Sequence, residues 1–426
     1  MTSIAYATLT LGIAALWGFV NGWLLYFYLP PQGQGIPLVP AALYSLIMLA
    51  SRVINVLVSL PIGHLSDRTR DCWGRRLPYI FTGSAAMLGF FILLWLPPQQ
   101  SESALNGVYL AVVLILFNIA YSFRLIPYEA LLPELASRDA ERVKISAWQA
   151  GFQFVGAILA GFAGPLIERW GYFSAALIFA AITLPALFLP FLGLRKKQLA
   201  LTASALPQDF LQSLRAILQN RAFRLFLVSW GLFWMASTFI LETIPFIATE
   251  ICGLSKAGTV YLYLPAILIS LLCFPVITWL AGRFGKQRVL LASFLASAFT
   301  LPLLLFIHKE LPLPLPIQGV LWVSLQAVAM SGLQVLPYAI VAEITDHDTQ
   351  ITGQRRQGIY YAGWGVFDQL ASGAASALLP LFLLMGSSHS QPQGPLGIRL
   401  LGVVAGVLML AGFLIFLRYP LAQGTS

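Results

Sequence analysis

A basic run, GHLSDRTRDCWGRRLPYI at residues 63–80, separates two long apolar stretches, and this arrangement constrains the fold more than any other feature of the chain. The flanking stretches, residues 39–62 and 79–97, are each long enough to cross about 30 Å of hydrocarbon at about 1.5 Å per residue. The charged run between them has to lie in water, because charged side chains are costly in lipid. The sequence therefore predicts a chain that crosses a membrane and turns back.

The amino-acid composition predicts that lipid is the solvent for most of the chain. Hydrophobic residues make up 58% of the 426 residues and charged residues 10%, which is more apolar surface than a soluble core can hide. The apolar runs are continuous, whereas barrel strands would alternate every second residue. We predict an all-α membrane protein with twelve transmembrane helices. Its spans fall at about residues 4–29, 39–63, 79–97, 107–132, 144–168, 171–194, 223–249, 257–281, 288–307, 317–341, 358–385 and 397–418.

The distribution of positive charge predicts the orientation of these spans. If the N-terminus is cytoplasmic, most of the 25 Lys and Arg residues fall in cytoplasmic segments, as the positive-inside rule requires. Both termini are therefore predicted to be cytoplasmic. Short loops and the lack of a targeting peptide favour a bacterial inner membrane.

The longest polar interruption, residues 195–222, is predicted to be a cytoplasmic connector between two six-helix halves, residues 1–194 and 223–426. Residues 207–218 carry apolar side chains at helical spacing, which fits either an amphipathic helix at the membrane surface or a simple tether.

Two sequence motifs recur at equivalent places in the halves. The loop after span two, with Gly63, Arg68, Gly74 and Arg75, has a counterpart after span eight in Gly282, Arg283, Gly285 and Lys286. IPYEALLPEL at residues 126–135 ends span four, and LPYAIVAEI at residues 336–344 ends span ten. Such repeats indicate a duplicated fold in which the substrate path runs between the halves.

Three segments together carry a resemblance to a known family: SDRTRDCWGRRLPYI, IPYEALLPELASRDAERVKISAWQ and AEITDHDTQITGQRRQGIYYAGW. GHLSDRT resembles the loop motif of the major facilitator superfamily. The three segments are similar to those of the glycoside, pentoside and hexuronide cation symporters, the melibiose permease-like family. The GRR-x-PYI ending is similar to that of symporters that carry sucrose together with a proton. The resemblance covers nearly the whole chain. It implies two six-helix halves that move a small polar solute, a sugar or glycoside, by alternating access with a cation.

The resemblance also implies a gate at the cytoplasmic face. Asp67 is expected to accept bonds from the facing half while its basic neighbours hold that face, as a latch in the outward-open state. The alternative is that these charges only set the topology. Deeper in span four, Arg124 and Glu129 are expected to belong to an inner gate or an ion-pair network. The candidate gating residues are Asp67, Arg68, Arg75, Arg76, Arg124, Glu129, Arg142 and Arg356.

This chain departs from that family's pattern at the cation site. Asn55 and Ser59 occupy the positions at which the family places acids on helix two, and Leu125 occupies the acidic position on helix four. Gln369 replaces the lysine of helix eleven. An amide and a hydroxyl supply only neutral oxygens, which argues against sodium coupling. We therefore expect no metal and no cofactor other than a coupling proton.

Ionisable residues within spans are costly, which makes them candidates for function. Arg52 and Asp368 both fall near the membrane midplane, on helices of opposite halves. They could bind a polar substrate, pair with each other, or couple a proton by exchanging partners; a purely structural ion pair is the alternative. Asp368 is the first choice for the proton site. Glu242 lies nearer the outer end of its span and is a candidate for an outer vestibule.

Sugar sites combine planar hydrogen-bonding side chains with aromatic faces. The spans contain both, and Trp364 and Asp368 share a face of span eleven because they are four residues apart. For any single aromatic residue, such as Trp230, packing or an interface belt is the alternative. The candidate substrate-binding or coupling residues are Arg52, Asn55, Ser59, Gln149, Gln153, Trp364, Asp368 and Gln369.

Motifs of enzyme chemistry are not found in the sequence: it has no Walker-type loop, no HExxH and no clustered His or Cys. The expected partners are a small-molecule substrate and the lipid bilayer. We expect no binding to nucleic acid, and we expect the protein to be a monomer. A transporter of amphipathic solutes, such as lysolipids or lipophilic glycosides, and an uncoupled facilitator are the alternatives. A non-transporting sensor is a third, but it should have lost the loop motifs that this chain retains.

Overall fold

The computed structural model describes residues 2–31, 33–69, 76–135, 139–191, 217–353, 357–385 and 395–420, and every regular element within them is helical. Six helices precede the predicted connector: α1 (Thr2–Tyr28), α2 (Ala41–Arg68), α3 (Leu77–Leu93), α4 (Ala104–Leu135), α5 (Asp139–Gly161) and α6 (Ala163–Phe188). Six follow it: α7 (Arg221–Phe246), α8 (Val260–Phe284), α9 (Lys286–Thr300), α10 (Leu315–Thr352), α11 (Gln357–Leu384) and α12 (Pro395–Phe416). Shorter π and 3-10 turns cover Ile247–Ile251, Ala257–Thr259 and Leu301–Phe306.

Ten stretches of the described chain are long and apolar enough to cross a membrane. They do not include α3, which has 17 residues, or α5, which begins with a charged turn. Large apolar side chains point outward on these stretches, such as Leu272, which is 73% exposed, and Phe299, which is 69% exposed. Such a surface suits lipid rather than water. The prediction of an all-helical, multi-pass membrane protein is confirmed.

Local sequence sets where several helices begin and end. The Asn220 side chain accepts a hydrogen bond from the Phe223 N–H at 3.2 Å and caps the start of α7. Gly353 ends α10 in the left-handed conformation, with φ of 69°. Gly171, with φ of 78°, interrupts α6 at the boundary that the sequence predicts between spans five and six.

The chain divides into two compact units. Unit 1 comprises Met1–Leu206 and Leu254–Tyr263, and unit 2 comprises Pro207–Gly253 and Leu264–Ser426. The sequence assigns residues 254–263 to the C-terminal half, whereas they pack as part of unit 1. The predicted boundaries of the two halves stay a prediction, and most of the connector at 195–222, with its candidate amphipathic helix, lies outside the described residues.

Each unit is built from long helix pairs. In unit 1, α1 packs along α5 and α6, while α4 packs along α2 and α3. In unit 2, α7 packs along α11 and α12, while α9 packs along α10 and α12. The α7–α11 pair carries the candidate site of unit 2, and the α2–α4 pair carries that of unit 1.

Candidate functional site

Asp368 of α11 is held against α7. Its Oδ1 atom accepts a hydrogen bond from the indole Nε1–H of Trp230, which is buried, as is Trp364 one turn before Asp368. The hydrogen-bond donor to this carboxylate is therefore a neutral indole. The bond joins residues 138 positions apart, and it fixes the acid at the α7–α11 contact.

Aromatic rings from three helices pack around Trp364, one turn before this carboxylate. Trp364 lies edge to face with Trp230 at 5.1 Å between ring centroids and with Phe226 at 5.5 Å. The ring of Tyr338 on α10 lies 4.8 Å from that of Trp364, between centroids, and the ring of Tyr361 on α11 lies 5.8 Å from it. The sequence predicts the pairing of Trp364 with Asp368 on one face of α11, but it misses the contributions of Phe226 and Tyr338. Gln369 follows the acid on α11 and is half-buried.

Two of the three family cation positions in unit 1, Asn55 and Ser59, form a neutral hydrogen-bonded cluster with Ser122 of α4. The Ser122 hydroxyl donates to the amide oxygen of Asn55 at 2.7 Å and lies 3.3 Å from the Ser59 hydroxyl. The Ser59 hydroxyl also bonds the Asn55 carbonyl oxygen at 2.7 Å. Asn55 and Ser122 are buried. The structure thus brings the two predicted residues together, and it adds Ser122, which the sequence does not single out.

Arg52 lies three residues before Asn55 on α2 and is buried. Its guanidinium carbon is 5.0 Å from the centroid of the Trp17 ring on α1, within the range of a cation–π contact. Tyr121 and Phe117 of α4 pack edge to face on the same ring, at 5.0 Å and 5.4 Å. Arg52 belongs to unit 1 and Asp368 to unit 2, and their pairing stays a prediction.

Gln149 of α5 binds a different group of residues. Its Nε2 amide donates to the Tyr128 hydroxyl at 2.8 Å, and Tyr128 stacks on Tyr6 with centroids 4.3 Å apart. The two tyrosines also bond each other's backbone, since each hydroxyl donates to the other residue's carbonyl oxygen. Gln153, one turn further along α5, is exposed.

Arg124 is completely buried, at 0% exposure. Its Nε donates to the Ser84 hydroxyl at 2.9 Å, and its Nη2 donates to the Leu9 carbonyl oxygen at 3.0 Å. The guanidinium also lies over the Tyr128 ring. These partners are neutral and come from α1, α3 and α4, so Arg124 ties three helices of unit 1 together. Glu129 is exposed on α4, and the gating role of both residues stays a prediction.

The cytoplasmic latch stays a prediction as well. Arg76 lies at the N-terminal end of α3 and is buried. Arg75 and Arg356 lie outside the described residues, as do the side chains of Asp67, Arg68 and Arg142.

Residues 254–263 form a segment that docks on unit 1, and we call it the docking segment. The Lys256 ammonium lies over the rings of Tyr172, at 5.3 Å, and Tyr26, at 5.7 Å. The Ala257 N–H donates to the Glu168 carboxylate. Burial lowers the pKa of the Lys256 ammonium, and the nearby Glu168 carboxylate opposes this shift.

One glycine makes this docking possible. A Cβ atom placed on Gly164 of α6 would lie 2.1 Å from the Lys256 carbonyl oxygen and 2.2 Å from the Thr259 Oγ1. The docking segment therefore fits against α6 only because residue 164 has no side chain. The sequence singles out neither the segment nor this contact.

The sequence profile of one family matches residues 5–423, nearly the entire chain, and its description is MFS/sugar transport protein. The chain belongs to this family. The predicted resemblance is confirmed, and so is the class: the protein is a membrane transporter of the MFS/sugar transport family.

Three proteins are similar to this chain in sequence or in fold. An uncharacterized symporter of Synechocystis is 31% identical over 163 residues, which are 37% of this chain. The match covers 29% of that symporter, less than a third of the symporter's length. The isoprimeverose transporter of Lactiplantibacillus pentosus is 24% identical over 387 residues, covering 87% of this chain and 78% of that one. A solved structure of the peptide transporter POT aligns with a TM-score of 0.70 at 15% identity, over 98% of this chain and 94% of that one. The last likeness concerns the fold alone.

Proposed function

We propose that this MFS/sugar transport protein carries a sugar or glycoside across the membrane together with a proton, by alternating access. The observation that carries the proposal is the Asp368 carboxylate, which lies inside a span among aromatic rings and is bonded to the neutral Trp230 indole. Membership of the family and the name of the isoprimeverose transporter support a sugar as the solute. The chain has no proposed catalytic role.

The ring cluster of unit 2 suits a sugar better than a strongly charged solute. Indole faces such as those of Trp364 and Trp230 can pack against the C–H groups of a pyranose ring. A carboxylate beside them accepts hydrogen bonds from sugar hydroxyls, and an amide such as Gln369 can both donate and accept. We propose that Arg52, Asn55, Ser59, Gln149 and Gln153 supply the polar contacts of unit 1.

The same carboxylate suits proton coupling. An ionised acid inside a span is costly, and protonation removes the charge. Because its donor is a neutral indole rather than a fixed cation, Asp368 can exist in both protonation states without leaving a buried cation unpaired. The protonated form would accompany the sugar, and the proton would leave toward the cytoplasm.

We propose that all twelve long helices cross the membrane, including α3 and α5. Both termini would then be cytoplasmic, in a bacterial inner membrane, with the lipid bilayer and a small-molecule substrate as partners of a monomer. The residues Asp67, Arg68, Arg75, Arg76, Arg124, Glu129, Arg142 and Arg356 would form the cytoplasmic gate.

Uptake into proteoliposomes tests the proposal. A panel of radiolabelled pentosides, hexosides and hexuronides is offered with the outside more acidic than the lumen. We expect at least one member to accumulate above its outside concentration, and we expect this accumulation to collapse when a protonophore is added. A panel that enters only to equilibrium under the proton gradient would indicate a facilitator, and no entry at all would favour amphipathic solutes instead.

Sodium should not drive this transport. The cluster of Asn55, Ser59 and Ser122 offers only neutral oxygens at the family's cation positions, and carboxylates are the ligands that a sodium site would be expected to use. We therefore expect the initial uptake rate to stay the same when outside sodium is replaced by potassium at constant pH and membrane potential. Accumulation driven by a sodium gradient alone would contradict this expectation.

A further inference from the structure

Unit 2 contains a second buried acid that the proposed function has not used. Glu242 of α7 is 4% exposed and lies within the span Arg221–Ile251. The sequence makes Glu242 a candidate for an outer vestibule, whereas its side chain is buried in the structure. A buried acid inside a span is costly and usually serves a purpose.

One partner of Glu242 is a hydroxyl of α11. The Ser376 Oγ–H donates to Glu242 Oε1 at 2.6 Å, and Ser376 is 0% exposed. The same hydroxyl lies 3.0 Å from the Ser372 carbonyl oxygen. When Glu242 is ionised, Ser376 donates to it. When Glu242 is protonated, its own O–H can donate to Ser376, which then donates to the Ser372 carbonyl. The cluster is thus satisfied in both protonation states of the acid.

The residues of α11 connect this cluster with Asp368. Asp368, Ser372 and Ser376 follow one another at four-residue spacing, which places them in one row along the helix. At about 1.5 Å per residue the row is about 12 Å long. A hydrogen bond between α7 and α11 lies at each end of the row. Trp230 donates to Asp368 at one end, and Ser376 donates to Glu242 at the other.

A further hydroxyl of α7 is buried within the same span. Ser237, five residues before Glu242, is buried, and within the described part of the chain its Oγ has no hydrogen-bond partner. Buried hydroxyls without a partner are uncommon in folded proteins. The helices α7 and α11 thus carry buried hydroxyls at Ser237, Ser372 and Ser376 in addition to Glu242.

We infer that Glu242 is a second proton-binding group of unit 2, and that its protonation changes together with that of Asp368 during the transport cycle. In the predicted topology α7 and α11 both run outward, which places Glu242 on the outer side of Asp368. Glu242 binds a proton and becomes neutral in one part of the cycle, and it releases the proton and returns to the carboxylate in another. Its charge at the end of a cycle is therefore the same as at the start. The inference rests on the proposed proton symport.

Isosteric substitution of the acid tests the inference. Glu242→Gln keeps an oxygen that can accept the Ser376 bond but cannot carry a proton. Two readouts are compared in proteoliposomes: sugar counterflow, which needs no net proton movement, and proton-driven accumulation. We expect counterflow to be retained and the rate of accumulation to fall by about tenfold or more. Glu250→Gln, at the second acid of this span, is the matched control and should resemble the wild type.

Ser376→Ala gives an independent test that keeps both acids. The Ser376→Ala variant should accumulate sugar more slowly than the wild type but faster than Glu242→Gln, and its counterflow should be unchanged. It replaces Glu242→Gln as the test if that variant does not fold. Wild-type accumulation in both variants, with Asp368→Asn still defective, would overturn the inference and leave the proposed function intact. Loss of counterflow together with accumulation would also overturn it, because Glu242 would then act on the sugar or the fold. A wild-type protein that shows no proton-driven accumulation would overturn both.

Discussion

Asp368→Asn is expected to abolish proton-driven accumulation of sugar while sugar counterflow continues. Asparagine has the same shape as aspartate, and its side-chain oxygen can still accept the Trp230 indole N–H, so the α7–α11 contact should persist. It cannot bind a proton, however, and a symporter without its proton carrier can only equilibrate its solute. The measurement is uptake of the labelled sugar under an inward proton gradient, followed until the inside concentration is constant.

The control for this variant is a second acid of unit 2 that lies in a different environment. Glu343 is exposed and forms an ion pair with Lys286 at the predicted cytoplasmic side. Glu343→Gln removes one carboxylate without touching the ring cluster, and it should accumulate sugar like the wild type. If Asp368→Asn still concentrates the sugar, the acid is not the coupling site. If it loses counterflow as well, the Asp368 carboxylate is required for sugar binding, and the loss of accumulation is then no evidence for coupling.

Gly164→Ala is expected to reduce transport strongly through the docking segment. The added methyl group would lie 2.1 Å from the Lys256 carbonyl oxygen, and the backbone there cannot move without loosening the contacts of Lys256 with Tyr172 and of Ala257 with Glu168. Overpacking of this kind costs about 1–3 kcal/mol. If the docked arrangement is one state of the transport cycle, a shift of that size changes its population by about 5-fold to 150-fold. The measurement is the initial rate of sugar counterflow.

A matched glycine provides the control. Gly151 of α5 is also helical, and a Cβ atom placed there meets nothing within 4 Å. Gly151→Ala should therefore leave transport unchanged and slightly favour the helix. The thermal unfolding midpoint of both variants in detergent separates a general loss of stability from an effect on the cycle. Equal transport by the two variants would mean that the docking segment does not take part in the cycle.

The sequence predicts the parts of this architecture that depend on neighbouring residues. Apolar runs and the basic loops give the helices, and the four-residue spacing of Trp364 and Asp368 gives their common face on α11. The family's pattern identifies Asn55 and Ser59 as replacements of acids. Each of these predictions needs only a short stretch of chain or a recognisable motif.

Contacts between distant helices could not be predicted in this way. Trp230 bonds Asp368 across 138 positions, and Ser376 bonds Glu242 across 134, because α7 and α11 pack together. No periodicity in a single helix shows which face of another helix it will meet. The docking segment is a similar case, since residues between α7 and α8 pack on α6, and only the missing side chain of Gly164 reveals how closely they approach.

The most direct test of sugar and proton symport is proton movement driven by sugar alone. Proteoliposomes that contain a pH-sensitive dye receive an inward gradient of the best sugar of the panel, with no initial pH difference and the membrane potential clamped by potassium and valinomycin. Proton symport predicts that the lumen acidifies as labelled sugar enters, and that the lumen of proteoliposomes with the Asp368→Asn variant stays at constant pH. Entry of sugar into wild-type proteoliposomes at constant lumenal pH would contradict proton coupling.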